Sequence, residues 1–400
     1  MTATDPLLLS QWMSTHPVCS FCQQRIQKEL QEKDTNKKKN SVTPKNPLSE
    51  DETCFLCERL LQDISVYINL VKNSVAGYEF SSFLLGSKID EELQQREDDL
   101  ISQYLLTNFV PLKMELNRLV GKELELLLHK EVSFTDPDIL AIIDTRFNII
   151  TLQIKSLYIY GRYNKKKRGI PQTHWPCRIC RGVGCRQCSL TGKLYTTSVE
   201  EEITRPLLAC TKGSDESFHG AGREDVDALM LGSGRPFVVE IKNPMKRTCD
   251  LSALEHNINT TNTEGIEVNS LRLSTKEEVV RLKKATFRKQ YRVELLSKKA
   301  LNKEKLKEVA QILPGTTIQQ CTPIRVAHRR ADKCRQRVLY HCMVEQVENT
   351  RAVLVLEAES GTYIKEFISG DSGRTRPNLS DLLGTPCKVV ALDVIAVQGE

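Results

Sequence analysis

The chain has 400 residues, a hydrophobic fraction of 40% and a net charge of +6. That length exceeds what one hydrophobic core usually supports, so two or three domains are expected. No apolar run of about 18 residues occurs, and Met1 to Trp12 lacks both the basic start and the apolar length of a secretory signal. A membrane protein and a secreted one are therefore set aside, and an intracellular one is expected, with nucleus and cytoplasm both open.

Fourteen cysteines in a long chain without a secretory signal point to metal binding rather than to disulfides. Eight of them fall in Cys-x-x-Cys pairs, and the other six are scattered singly and read as structural. The first set is Cys19, Cys22, Cys54 and Cys57, divided by a Lys- and Asn-rich tract from Asp34 to Pro47 that reads as a disordered insertion. Beyond it, Leu60 to Tyr78 reads as a short apolar strand or helix. Ile89 to Val110 and Leu112 to Val132 show helical spacing, and Asp138 to Leu157 reads as buried strands. Together they predict an α/β accessory domain over residues 1–165.

Tyr158, Tyr160 and Tyr163 then alternate with Arg162, Lys165, Lys166, Lys167 and Arg168, a mixture that can stack bases and neutralise phosphates, or simply form an exposed basic linker. The second set, Cys177, Cys180, Cys185 and Cys188, follows within a short module over residues 166–195, with Gly182 and Gly184 supplying tight backbone. Two Cys-x-x-Cys pairs complete the tetrahedral sulfur shell that Zn²⁺ prefers. Four cysteines leave no open coordination position, so one or two structural zinc ions are expected, neither of them taking part in chemistry.

Residues 196–400 change character. Short strands are predicted at Ala228–Leu231, Phe237–Lys242, Tyr291–Leu296, Arg337–Glu348, Ala352–Glu359 and Lys388–Val397, with helices at Ser252–Thr260, Thr275–Lys284 and Lys303–Ile312. The fold class is α+β with a mixed or antiparallel sheet. Within it, Gly222-Arg223-Glu224-Asp225 forms a glycine-flanked loop ahead of two apolar runs read as a hairpin joined at Gly232-Ser233-Gly234. A carboxylate held there can act as nucleophile, base or metal ligand, or can merely cap a solvated turn. Asp227 is the rival carboxylate, on the same face if the backbone is extended.

Basic residues concentrate in three places: Arg325, Arg329, Arg330, Lys333, Arg335 and Arg337; Arg281 to Lys299 around Tyr291; and Lys365 with Arg374 and Arg376. Three such clusters fit a phosphate backbone better than a plain solvated surface.

Gly222-Arg223-Glu224-Asp225 resembles the Gly-Arg-x-Asp loop of pseudouridine synthases of the TruA type. Val226 to Phe237, Lys289-Gln290-Tyr291-Arg292, Thr322 to Arg330, Gly361 to Asn378 and the cysteine motif Trp175 to Cys188 are similar to the Pus-ten family, the archaeal and eukaryotic synthases of the tRNA T arm. The resemblance runs in order across residues 160–397. The N-terminal half resembles the family's THUMP-containing accessory domain in position, cysteine pairs and general pattern.

The resemblance implies a monomeric enzyme that binds tRNA and isomerises T-arm uridines, at positions 54, 55 or both, without an organic cofactor. It gives Asp225 the role of nucleophile, at the sugar carbon or at the base. Lys365 would pair with that carboxylate and Tyr291 would stack on the flipped base. Leu382 would line the pocket, with Leu379 and Leu383 as alternatives in register. Where the family often has Leu after Tyr-Ile-Lys-Glu, this chain has Phe367. Arg223 would contact phosphate, together with Arg325, Arg329, Arg330, Arg335, Arg337, Arg374 and Arg376. The other functions left open are a catalytically silent RNA-binding protein and a thiol-dependent RNA-modifying enzyme. The latter would need a phosphate-cradling Gly-x-x-x-x-Gly-Lys-[Ser/Thr] loop, which the sequence lacks.

Overall fold

A computed structural model describes residues 6–33, 48 and 52–398. The expected insertion at Asp34 to Pro47 lies outside the described residues. The chain divides into two compact units, Met1–Lys155 with Asn243–Arg247, and Ser156–Lys242 with Thr248–Glu400. Among the described residues no helix is long and apolar enough to cross a membrane.

The first unit runs α1 (Pro6–Thr15), α2 (Ser20–Lys33), α3 (Ile64–Ser74), β1 (Ser82–Lys88), α4 (Glu91–Tyr104), α5 (Leu112–Leu128), β2 (Glu131–Val132), β3 (Ile139–Asp144) and β4 (Ile149–Ile154). Its sheet has the order β2-β1-β3-β4, with β1 parallel to β2 and β3, and β4 antiparallel to β3. Helix α4 starts where Asp90 accepts the Glu92 N–H at 2.9 Å, an N-cap reinforced by Glu91 and Glu92 in the positive first turn. Leu112, Leu116, Val120 and Leu124 recur every fourth residue along α5 and pack in one core with Phe83, Leu85, Ile139, Ala141 and Ile143 of the sheet.

One buried polar contact fastens the helices of this unit. Arg25 of α2 is 1% exposed and pairs with Glu97 of α4, and its Nε donates to the Val110 carbonyl at 2.8 Å. The same Glu97 carboxylate accepts the Leu112 N–H that opens α5, at 2.9 and 3.0 Å.

The second unit runs β5 (Leu157–Lys165), α6 (Val199–Thr211), β6 (Asp215–Gly220), β7 (Leu229–Lys242), α7 (Leu251–Thr261), β8 (Ile266–Ser274), α8 (Lys276–Lys284), β9 (Arg288–Ser297), α9 (Lys303–Ile312), β10 (Thr317–Gln320), β11 (Arg335–Glu348), β12 (Arg351–Ala358), α10 (Ile364–Ser369), β13 (Thr375–Arg376), α11 (Leu379–Leu383) and β14 (Cys387–Gln398). They build a ten-stranded sheet, β13-β10-β11-β12-β9-β14-β7-β5-β8, with β6 also paired to β7. The β14–β7 pairing is parallel and the others are antiparallel.

Three sequence expectations change here. The runs expected as a hairpin are one strand, β7, because Gly232-Ser233-Gly234 forms a bulge and not a reversal. Across from it, Tyr163 pairs with Arg235 and Lys165 with Met230, so the extra residues of β7 loop outward. Glycine is required: a Cβ at Gly232 would meet the Ile395 carbonyl at 1.9 Å and one at Gly234 the Tyr163 carbonyl at 2.9 Å.

The stretch Leu157–Lys165, expected to close the accessory domain, is instead an interior strand of the second sheet, hydrogen-bonded on both sides. Tyr160, Tyr163 and Lys165 are consequently buried and offer no surface to a nucleic acid. Cysteines expected to stand singly form two disulfides, Cys210–Cys249 and Cys321–Cys334.

Replacing Arg25 by Met leaves the Glu97 carboxylate buried with no cation, which costs about 3–5 kcal/mol. Trp12, stacked on His16 in the same unit, reports this unit in a Trp175→Phe background. Urea unfolding followed by its fluorescence is expected to show that loss.

Candidate active site

The loop between β6 and β7 alternates its side chains. Glu224 turns down into the second unit, and Asp225 stays a third exposed at the edge of a cavity. Beneath the loop, the Glu224 carboxylate accepts the Tyr163 hydroxyl at 2.8 and 3.0 Å and Arg235 Nε at 2.9 Å. Arg235, itself 0% exposed, donates on to the Ala221 carbonyl at 2.8 Å. Gln172 bridges the Tyr163 hydroxyl and the Gly222 carbonyl, each at 2.9 Å. Lys165 Nζ, 3.8 Å from Glu224, donates to the Asp225 and Val226 carbonyls at 3.3 Å. Burial pulls the Lys165 ammonium below its usual range, opposed by the charge of Glu224.

Above the loop, Asp225 Oδ2 lies 3.2 Å from Lys365 Nζ and 3.3 Å from Arg325 Nη1. Burial pushes the Asp225 carboxyl up, but the two cations outweigh it and the net shift is downward, so the group is ionised at neutral pH. Arg325 is aimed by Glu366 of α10, which accepts its Nε at 2.7 Å. Lys365, at the start of α10, also reaches Asp227 at 2.9 and 3.0 Å. Asp227 is 70% exposed against 34% for Asp225, and it does not line the cavity that Asp225 shares with Tyr291.

That cavity encloses about 300 Å³ and has Asp225, Tyr291, Lys289, Arg325, Ile364 and Val394 among its walls. Lys289 and Tyr291 sit two residues apart on the buried face of β9. Burial pushes the Tyr291 phenol up to about 12. Burial, aided by the positive charge of Arg235, brings the Lys289 ammonium down to about 8.

Of the residues expected at the site, Asp225, Tyr291 and Lys365 come together, and Arg223, Arg325 and Arg330 join them around the cavity. Leu382 does not. It packs from α11 against the main core, and Leu392 and Val394 of β14 supply apolar wall in its place. Leu379 and Leu383 are buried in that same core.

The arginines divide by role. Arg330, Arg335 and Arg337 line an adjoining depression of about 410 Å³ with Lys333. Arg337 is also paired with Glu359 at 3.1 Å. Arg374 bonds the Thr322 carbonyl at 3.0 and 3.1 Å and pairs with Asp332, which makes it a brace for the arginine-rich segment. Arg376 is exposed on β13, and the side chain of Arg329 lies outside the described residues.

The sequence reading missed Glu224, Arg235, Lys165, Lys289 and Glu366. Lys289 alone carried a signal, its position two residues before Tyr291 on a strand.

Each Cys-x-x-Cys quartet converges. In both Cys19, Cys22, Cys54, Cys57 and Cys177, Cys180, Cys185, Cys188 the sulfurs lie within 4.8 Å of one another, as a bound metal ion requires. Backbone N–H groups of Gly184, Cys185 and Gly192 donate to the sulfurs of the second quartet at 3.2 Å, an arrangement that suits thiolates. Both quartets can hold a metal ion.

Comparison with known families places this geometry. Residues 158–398 match the family described as Pus10, C-terminal, and residues 67–144 match the Pus10 THUMP domain, archaeal. The chain belongs to the Pus10 family. Relatives named tRNA pseudouridine synthase Pus10 are 40% identical in Methanothrix thermoacetophila, over 88% of this chain and 78% of the relative, and 38% identical in Halorubrum lacusprofundi, over 96% and 94%. Another, from Methanocaldococcus jannaschii, is 41% identical over 87% of this chain and 76% of its own length. The family match confirms the expected architecture, a THUMP-containing N-terminal part and a C-terminal catalytic domain of the synthase type.

In an Arg325→Gln variant the opposing effect of burial gains weight, so the Asp225 carboxyl is expected to titrate at higher pH than in the parent protein. Carbon-13 NMR of labelled aspartate checks this, and an unchanged midpoint would show that Lys365 alone holds the charge.

Proposed function

We propose that the chain isomerises uridine in the T arm of tRNA, at position 54, 55 or both, to pseudouridine, with Asp225 as the nucleophilic carboxylate. The observation that carries this reading is Asp225 held ionised by two cations at the edge of a cavity that also contains a buried tyrosine ring and apolar wall. The Pus10 relatives, named tRNA pseudouridine synthases, support it.

Isomerisation needs no oxidant and no group donor. The N1–C1′ bond breaks, a C5–C1′ bond forms, the C5 proton leaves and N1 gains one. A carboxylate is suited to hold the sugar carbon, or to add to the base, while the ring turns. An ionised Asp225 serves either route. Tyr291 offers the ring on which a flipped base stacks, and Leu392 and Val394 exclude water behind it. Arg330, Arg335 and Arg337, in the depression beside the cavity, offer positive charge to the backbone of the incoming strand.

The cysteine quartets would hold structural zinc, since four thiolates fill the tetrahedral shell and leave no site for water. Zinc there braces the fold and lies outside the reaction.

Incubated with an unmodified tRNA transcript, the parent protein is expected to yield pseudouridine in the T arm. Asp225→Ala is expected to yield none while still binding tRNA, and Asp227→Ala to retain activity. Product from the Asp225 variant would overturn the nucleophile assignment. Metal analysis is expected to find two zinc ions per chain, one for each quartet, and one fewer in each of Cys19→Ser and Cys177→Ser.

A further inference from the structure

We propose that Lys289 is a catalytic residue whose ammonium group donates a hydrogen bond to the uracil ring as it leaves the sugar, stabilising the negative charge that develops on the base. This inference rests on the reading of the Asp225 cavity as a uridine isomerase site.

Lys289 is 7% exposed and lines the cavity. Its ammonium donates to the Ser360 hydroxyl at 3.1 Å and to the Phe287 carbonyl at 3.4 Å. A lysine ammonium has three donors, so one remains for the cavity. A Cβ placed on Gly222 would lie 3.7 Å from Nζ, which puts the charge against the loop that carries Asp225. Tyr291 shares its strand face, so a base stacked on that ring would lie beside this ammonium.

Of the other cations of the cavity, Arg223 and Arg330 are exposed and the rest are committed. Arg325 is shared by Asp225 and Glu366, and Lys365 by Asp225 and Asp227. Arg235 is sealed beneath the loop against Glu224. Arg330 is exposed, holds the Tyr363 hydroxyl at 2.8 Å and also borders the neighbouring basic depression. Among the described residues no carboxylate lies within ion-pair distance of Lys289, and its charged neighbour Arg235 repels it. A buried cation without a counter-ion is costly in the resting protein. The cost is relieved only when an anion arrives beside it.

Breaking the N1–C1′ bond supplies that anion. The bonding electron pair stays with the ring and spreads over N1, O2 and O4, while C1′ is held through the carboxylate. When C5 then bonds to C1′ the C1′–carboxylate bond breaks and the ring charge is consumed, and loss of the C5 proton with protonation of N1 completes the product. A cation that is unpaired before cleavage and paired during it binds the transition state better than the substrate. Burial keeps the Lys289 ammonium poised close to neutrality, which lets it serve as a strong donor to the departing ring.

The test uses single-turnover kinetics with full-length protein and a tRNA carrying uridine, 5-fluorouridine or 5-deuteriouridine at the target position. Lys289→Met is expected to slow conversion of uridine by about 10²–10³, the loss typical of one donor aimed at developing charge, with tRNA affinity and melting temperature unchanged. Fluorine at C5 stabilises the departing anion by itself, so the deficit is expected to shrink with the fluorinated base. Lys289→Arg, which keeps the charge, is expected to retain more of the rate. Deuterium at C5 is expected to leave the rate of the Met variant unchanged.

An equal deficit on uridine and 5-fluorouridine, or a Met variant as fast as the parent, overturns the proposal alone. A rate slowed by deuterium in that variant would make Lys289 the acceptor of the C5 proton and also overturns it. Failure of the parent protein to form any pseudouridine overturns the underlying reading of the site, and is visible before a variant is made.

Discussion

The position of Asp225 depends on a buried carboxylate beneath its loop. Glu224, one residue earlier, is buried between Arg235, Lys165 and the Tyr163 hydroxyl. Removing any one of these would leave a charge or a polar group unpaired in the interior, so the set is held together by the cost of breaking it. Because Arg235 and Lys165 also bond the carbonyls of Ala221, Asp225 and Val226, the loop backbone is fixed from below. An alternation of side chains then turns Asp225 outward. The Asp225 carboxylate is thus placed by the backbone of its loop.

The same logic extends to the far wall. Arg325 and Lys365 come from the arginine-rich segment and from the start of α10, well removed from each other in sequence, yet both end on Asp225. Glu366 holds Arg325 from the opposite side, so the guanidinium is shared between two carboxylates and is not free to fold onto a phosphate. This separates the basic residues into an inner set that tunes the cavity and an outer set, Arg330, Lys333, Arg335 and Arg337, that lines the neighbouring depression. Salt screens the outer set strongly and the inner set much less.

How much of this was legible follows from the range of the signals. Helical and strand periodicities are local, and α5, α7, α8, α9, β9, β11, β12 and β14 lie close to where the patterns put them. The motif loop was legible because Gly-Arg-x-Asp is contiguous. The supporting cluster was not, since Lys165, Arg235 and Glu224 are ordinary charged residues until β5 is laid beside β7. Residues Tyr158 to Arg168 misled for the same reason: aromatics alternating with bases describe an exposed nucleic-acid surface and equally a strand whose inward lysine has buried partners. The Gly232-Ser233-Gly234 bulge looked like a turn because glycine marks both a reversal and a close approach of backbone, and only the Ile395 carbonyl distinguishes them. Leu382 failed because α11 packs into the core with all three of its leucines, and Leu392 and Val394 of β14 take the place at the cavity.

The charges around the cavity give the arrangement a direction. Arg325, Lys365, Arg235 and Lys165 are matched by the carboxylates of Asp225, Asp227, Glu224 and Glu366, while Arg223 and Arg330 at the cavity rim are exposed to solvent. Before substrate binds, Lys289 is a buried cation with no carboxylate within ion-pair distance among the described residues. A neutral uridine entering the cavity does not cancel it. An electron pair left on a base beside Lys289 would, while on the proposed reading the nucleophilic carboxylate gives up its own charge to the bond it forms. On that reading the field beside Lys289 favours separation of the base from the sugar over the intact nucleoside, a preference built into the protein before the substrate arrives.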